Sequence, residues 1–193
     1  SNNNPDIFLT DLFQPLIMVL EKLSGRAYGQ DEETTRAMRT IADHLRASLM
    51  IAREGVLPSN KAQGYVLRRL LRRSLVFARQ LEVKELSLAM SSLLEALILP
   101  YGPEFGLAER KEEISRVFIQ EAEKFSQTLT AGIKEMEKMK ILDAKRAFYL
   151  FESFGLPFEI IQAIGQEKGL VLSKEDFDKE MSGHQELSRQ GAT

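Results

Sequence analysis

Between residues 36 and 79 the chain carries nine arginines and one lysine against two acids, Asp43 and Glu54. Since the whole chain has a formal charge of −2, the remainder is strongly acidic, and the overall balance hides a segregated basic block. A block of that kind suits a polyanion such as RNA phosphate. Five of these arginines, Arg68, Arg69, Arg72, Arg73 and Arg79, lie between residues 62 and 81 with no acid among them. Guanidinium groups at helical spacing repel one another unless an anion lies close. Two readings are open at this point: a solvated helix face, which is what most charge runs are, and a surface for phosphate contact. Asn60, just ahead of the block in the segment EGVLPSN, is by type a helix cap. Its amide can also donate to and accept from a base edge, which is the chemistry needed to read a base pair. Tyr65 either packs or stacks on a nucleotide.

Other chemistries find less support. Cysteine is absent, which excludes disulfides, thiolate nucleophiles and sulfur-ligated zinc. Only two histidines occur, His44 and His184, too few for a three-histidine metal site. His44 follows Asp43 between Ile41 and Leu45 and reads as a satisfied, partly buried side chain. Glu121, Glu123, Glu175, Asp176, Asp178 and Glu180 read as solvated faces or partners of helix dipoles. Residues 102 to 106 lack a P-loop lysine and no G-x-G-x-x-G occurs, so a free-standing nucleotide-using enzyme is not expected. No catalytic residue and no metal ligand is assigned.

The elements that must position the basic block are helices. Apolar residues recur at three- and four-residue steps, and no sustained period-two stretch is found. A first helix is expected from a Thr10 or Asp11 cap through Leu12, Phe13, Leu16, Leu20 and Leu23 to Gly25. A second starts after Asp31 to Thr35 and runs to Arg53 with Met38, Ile41, Ala42, Leu45 and Leu49 inward, and is stopped by Gly55 and Pro58. The third starts at a Ser59 or Asn60 cap and reaches Leu81. At 100° per residue its arginines gather on one half, and Val66, Leu67, Leu70, Leu71, Leu75, Phe77 and Ala78 on the other. A fourth helix covers about 84 to 99 and ends at the turn YGPEFG. A long fifth helix spans about 108 to 140, with Ile114, Val117, Phe118, Phe125, Leu129, Ile133 and Met136 as its stripe, and serves as a spine between two bundles. Asp143 caps a sixth helix that closes at Gly155, Pro157 opens a seventh that ends at Gly169, and Ser173 with Asp176 forms a capping box for the last. Phe148, Phe151, Phe154 and Phe158 are expected in a core. The fold class is therefore all-α, a helical bundle with a long central helix, divided into subdomains 1–107 and 108–193. No run approaches the ~20 apolar residues of a membrane span.

Three segments in order, MRTIADHLRA (38–47), EGVLPSN (54–60) and GYVLRRLLRR (64–73), resemble the alanyl-tRNA synthetase family. EAEKFSQTLTAG (121–132) and AFYLFESFGLP (147–157) are similar to two further family segments, and DLFQ (11–14) to a stretch just downstream of its last class II motif. Phe177, Met181, Gln185 and Arg189 resemble its run-up to the editing domain. The resemblance implies the helical tRNA-recognition region of a larger ligase. The polar start at Ser1 without a methionine suits such a piece.

By that resemblance, an asparagine and an aspartate of the family recognise the G·U wobble pair in the acceptor stem of alanine tRNA. Asn60 matches the first. Glu152 stands at the second, a departure that keeps the carboxylate and adds a methylene, changing its reach by roughly 1.5 Å. Lys61, Arg68, Arg69, Arg72 and Arg73 become candidates for the tRNA backbone, and some of them for organising the protein. The implied partners are the alanine tRNA acceptor stem and the parent's catalytic domain, which would use ATP and Mg; no cofactor is expected in this region, which should be inactive alone. A cytoplasmic setting is expected. The alternative is a helical interdomain or protein-interaction scaffold whose arginine face docks an acidic partner.

Overall fold

The computed structural model describes residues 6–101, 105–167 and 169–190, with the side chains of 108, 159, 163, 167 and 185–190 excepted. The lead-in at 1–4, the centre of the turn at 102–104 and the side chains of Gln185 and Arg189 lie outside the described residues. Among those residues every regular element is helical: α1 (Gln14–Ser24), α2 (Glu32–Arg53), α3 (Ala62–Gln80), α4 (Leu86–Tyr101), α5 (Lys111–Lys138), α6 (Ala144–Phe154), α7 (Phe158–Glu167) and α8 (Lys174–Gln190), with short 3-10 turns at Ile7–Leu9 and Ala108–Arg110. The all-α expectation is met. No described helix is long and apolar enough to cross a membrane.

The chain forms two compact units that part inside α5, one ending at Lys124 and the other beginning at Phe125. The first part of α5 belongs with the first unit because Ile114, Phe118, Glu121 and Ala122 are buried there.

In the first unit α2 packs along α3, and α1 against α4. Leu16, Leu20, Met38, Ile41, Leu45, Leu49, Leu67 and Leu71 are wholly buried. Each such side chain stabilises the fold by about 1.5–3 kcal/mol. Asp31 caps α2: its carboxylate accepts from the Thr34 amide at 2.6 Å and from the Thr34 hydroxyl at 2.8 Å, satisfying a buried polar group and an orphan helix donor together. The start of α1 differs from expectation. Asp6 caps the preceding 3-10 turn, the Thr10 hydroxyl donates back to the Ile7 carbonyl, and α1 begins only at Gln14, where Pro15 fits because the first turn needs no amide donor.

The second unit is built on aromatic packing. Phe177 of α8 lies 5.0 Å from Phe158, 5.7 Å from Phe151 and 6.4 Å from Phe148, ring centre to ring centre. Phe148 and Phe158 are buried as expected, whereas Phe151 and Phe154 are half-exposed. Asp143 caps α6 by accepting from the Arg146 amide, Gly155 ends it at φ 62°, and Ser173 accepts from the Asp176 amide at 3.3 Å, so these three boundaries fall where the turn residues put them.

Candidate functional site

The loop ahead of α3 is held by its own backbone and by one small residue. The Ser59 amide donates to the Gly64 carbonyl at 3.0 Å, and the Ser59 hydroxyl bridges to Lys61. A Cβ on Gly64 would collide with Ser59 Oγ and stand 2.5 Å from the Leu57 carbonyl oxygen. Only glycine lets the first turn of α3 lie so close on its own loop. Ala62 opens the helix at φ 47°, a left-handed conformation that costs an alanine about 1–2 kcal/mol.

Neither expected cap serves α3, whose N-cap position is Lys61 without a side-chain hydrogen bond. Asn60 instead turns its Oδ1 to Arg68, which donates to it through Nη1 and to the Pro58 carbonyl through Nη2 at 3.3 Å. The residue is exposed. With its oxygen engaged, the amide offers a ligand mainly its two N–H donors.

Arg68 and Arg72 are not a free cationic face. Arg72 Nε donates to Glu121 Oε1 at 2.8 Å, and Arg68 Nε stands 3.5 Å from the same oxygen. Glu121 has only 5% of its side chain exposed, so the expectation of a solvated carboxylate is wrong. A buried carboxylate survives only when cations and donors compensate its lost hydration, and two guanidinium groups do so here. The anion that the α3 arginines require is therefore supplied, for these two, by α5 of the same chain. The sequence did carry a signal: on α5, Glu121 is three residues past Phe118 and four before Phe125, at the edge of the buried stripe.

The other arginines of α3 behave differently. Arg69 and Arg79 are exposed, as is Lys61. Arg73 is half-buried, its guanidinium 5.8 Å from the centre of the Phe77 ring and its buried Nε without a hydrogen-bond partner. The apolar half of α3 departs from expectation at its start: Val66 is 47% exposed, and its neighbour Tyr65 48%. From Ser74 to Ala78 every residue is buried.

His44 is partly buried on α2, yet it is not satisfied, since its Nδ1 is buried without a hydrogen-bond partner and the Asp43 carboxylate stands 3.6 Å away. Burial, reinforced by the charge of Arg73, pulls its pKa below the ordinary 6.5 against the opposing pull of Asp43. Arg110, which sequence reasoning missed, donates through Nη1 to the Arg53 carbonyl at 2.7 Å and so closes the C-terminus of α2 just before the loop. Orphan carbonyls at a helix end are the general signal for such a cation.

Glu152 lies on α6 in the second unit, 58% exposed, with His184 Nδ1 of α8 at 3.8 Å. The structure thus brings Asn60 and Arg68 into direct contact, joins Arg68 and Arg72 through Glu121, and leaves Lys61 and Arg69 on the surface; Glu152 has its own surroundings in the other unit. Among the described residues no group of three His, Asp or Glu is arranged to hold a metal ion.

Comparison with known proteins bears on this arrangement. Residues 2–193 match the family model described as tRNA synthetases class II (A). The chain is similar to the alanine--tRNA ligase of Borrelia hermsii, 37% identical over 96% of this chain and 32% of that protein. It is likewise similar to the alanine--tRNA ligases of Porphyromonas gingivalis, 38% identical over 95% of this chain and 22% of that protein, and Pediococcus pentosaceus, 36% identical over 96% and 22%. It therefore spans between about a fifth and a third of these relatives. The three segments that carry the basic block and its loop lie inside the matched region, and the chain belongs to the alanyl class II tRNA synthetase family.

Proposed function

We propose that this chain is the tRNA acceptor-stem recognition region of an alanine–tRNA ligase, reading the G·U wobble pair while a catalytic domain, with ATP and Mg, performs aminoacylation. A-form RNA offers a shallow minor groove lined with 2′-hydroxyls and base edges, so a helical region can grip phosphates and probe one pair with few side chains. The observation that carries the reading is Asn60, exposed at the loop end with its oxygen held by Arg68. Its N–H donors suit an acceptor on a base or ribose, while the exposed carboxylate of Glu152 suits the amino group of guanine. Lys61 and Arg69 are the exposed cations best suited to phosphate, with Arg73 one turn beyond Arg69 on α3; Arg68 and Arg72 act mainly inside the protein.

The scaffold alternative has a specific observation behind it, since Glu121 is an acid docked on the arginine face. That acid belongs to the same chain and accounts for Arg68 and Arg72, not for Lys61 and Arg69.

The test is binding to an alanine-tRNA acceptor-stem hairpin carrying G·U, beside its G·C counterpart, at two salt concentrations. A base-pair contact contributes about 1–3 kcal/mol of discrimination, so G·U is expected to bind at least several-fold tighter, and Asn60→Ala to remove most of that preference. Equal and salt-sensitive binding of both hairpins would leave only a phosphate grip, and no salt-dependent binding at all would favour the scaffold.

A further inference from the structure

We infer that Glu121 is a positioning residue for base-pair recognition: through Arg68 it fixes the orientation of the Asn60 amide. The inference rests on Asn60 being the reader.

An asparagine side chain at a loop tip can present either end of its amide, and the two ends seek opposite partners. Here the end is chosen by Arg68, whose Nη1 donates to Asn60 Oδ1 and whose Nη2 reaches the Pro58 carbonyl at 3.3 Å. An arginine is long and flexible, so it holds an amide in one orientation only if it is itself held. Its buried Nε makes no hydrogen bond but is ion-paired with Glu121 Oε1 at 3.5 Å, and Arg72 Nε donates to the same oxygen at 2.8 Å. Glu121 is almost wholly buried and projects from α5, so the anchor is rigid, whereas the loop it serves is exposed. The carboxylate also relieves the repulsion between two guanidinium groups four residues apart on α3. Removing its charge leaves that repulsion standing, and Arg68 then has reason to turn toward solvent and release Asn60. The consequence is selective. Affinity carried by Lys61 and Arg69 does not depend on Glu121, whereas the sense of the hydrogen bond offered by Asn60 does.

The substitution is Glu121→Gln, which keeps shape and one acceptor while deleting the charge, in the full chain, with thermal melting as the check on folding. Two measurements are needed. In the free protein, the side-chain Nδ2–H₂ of Asn60, assigned by its absence in Asn60→Ala, is expected to show restricted motion by ¹⁵N relaxation, and Glu121→Gln to loosen it to the level of an ordinary exposed asparagine. On the two hairpins, a G·U preference of the size a base contact gives, roughly 5- to 150-fold, is expected to fall to less than about twofold in Glu121→Gln, with affinity for the G·C hairpin unchanged or raised. Glu121→Asp keeps the charge and is expected to restore part of the preference. An Asn60 side chain equally ordered in Glu121→Gln overturns the relay, as does a G·U preference that survives the substitution. Lack of preference in the unsubstituted chain overturns the reading of Asn60 instead, and the relaxation result then decides whether the relay exists. If Glu121→Gln unfolds, Arg68→Met makes the same break from the other side: unaltered Asn60 order there rejects the relay.

Discussion

At the scale of single residues, the basic segment divides into arginines that work inside the protein and cations that face outward. Arg72 and Arg68 compensate a buried carboxylate, Arg73 lies against Phe77 and near His44, and Lys61 and Arg69 remain exposed. Removing one partner of a buried charge pair leaves the other uncompensated, which is costlier than losing a surface contact. His44 adds a pH dependence whose sign can be worked out. Its folded pKa is depressed, first by burial and then by Arg73, with Asp43 opposing. Well above pH 6.5 the imidazole is neutral in both states and contributes no slope. As pH falls through that value the unfolded chain takes up a proton that the folded protein resists, so stability drops until the lower folded pKa is passed. Urea midpoints measured at pH 7.5 and 5.5 are expected to show this loss, and His44→Gln to reduce it; an unchanged difference would place the titration elsewhere.

Elements are where local signals succeeded and where they were outbid. Asp143 and Ser173 cap their helices as expected, and Asp31 caps α2 in the same way, because a short polar side chain before an apolar-periodic run has a backbone donor within reach whatever the rest of the chain does. The start of α3 is different. Ser59 and Asn60 are both good capping residues by type, yet one is bound to the loop and the other to Arg68, and α3 opens through Ala62 at φ 47°. What fixes this turn is the contact of Gly64 with Leu57 and Ser59. A methyl group there meets backbone that cannot easily move, so Gly64→Ala is expected to destabilise the first unit by about 1–3 kcal/mol, the range for overpacking. Thermal denaturation read by circular dichroism tests it. A neutral result would mean that the loop shifts without cost.

Over the whole molecule, the charge segregation visible along the chain is partly cancelled in space. The acid on α5 is 49 residues from Arg72 and meets it only after folding. The number of cations left for a polyanion is therefore smaller than the arginine count suggests, and the salt dependence of RNA binding should reveal it. Each phosphate neutralised adds about 0.7–0.9 to the slope of log K against log salt. Arg69→Ala is expected to lower that slope by about one such step with the fold intact, and Arg72→Ala to lower the melting temperature instead. The reverse pattern would mean that Arg72 faces the nucleic acid and Arg69 serves the fold.

The sequence by itself determined the helical class, most helix boundaries, the basic face of α3 and the family. Those features depend on periodicity, caps and motif spacing, which are local, and which the chain carries whatever its partners are. Asn60 was singled out by its amide chemistry beside the basic block and by motif position, Glu152 by motif position alone, and neither surroundings nor orientation was legible. Only the tertiary structure decided that Glu121 is buried, that Arg68 and Arg72 converge on it, and that the oxygen of Asn60 is already taken. The physical reason is that the cost of burying a charge, and the partner that offsets it, are set by which helices meet, and a stripe read on one helix does not say what the facing helix brings to it; Asn60 follows because its partner Arg68 is one of those arginines.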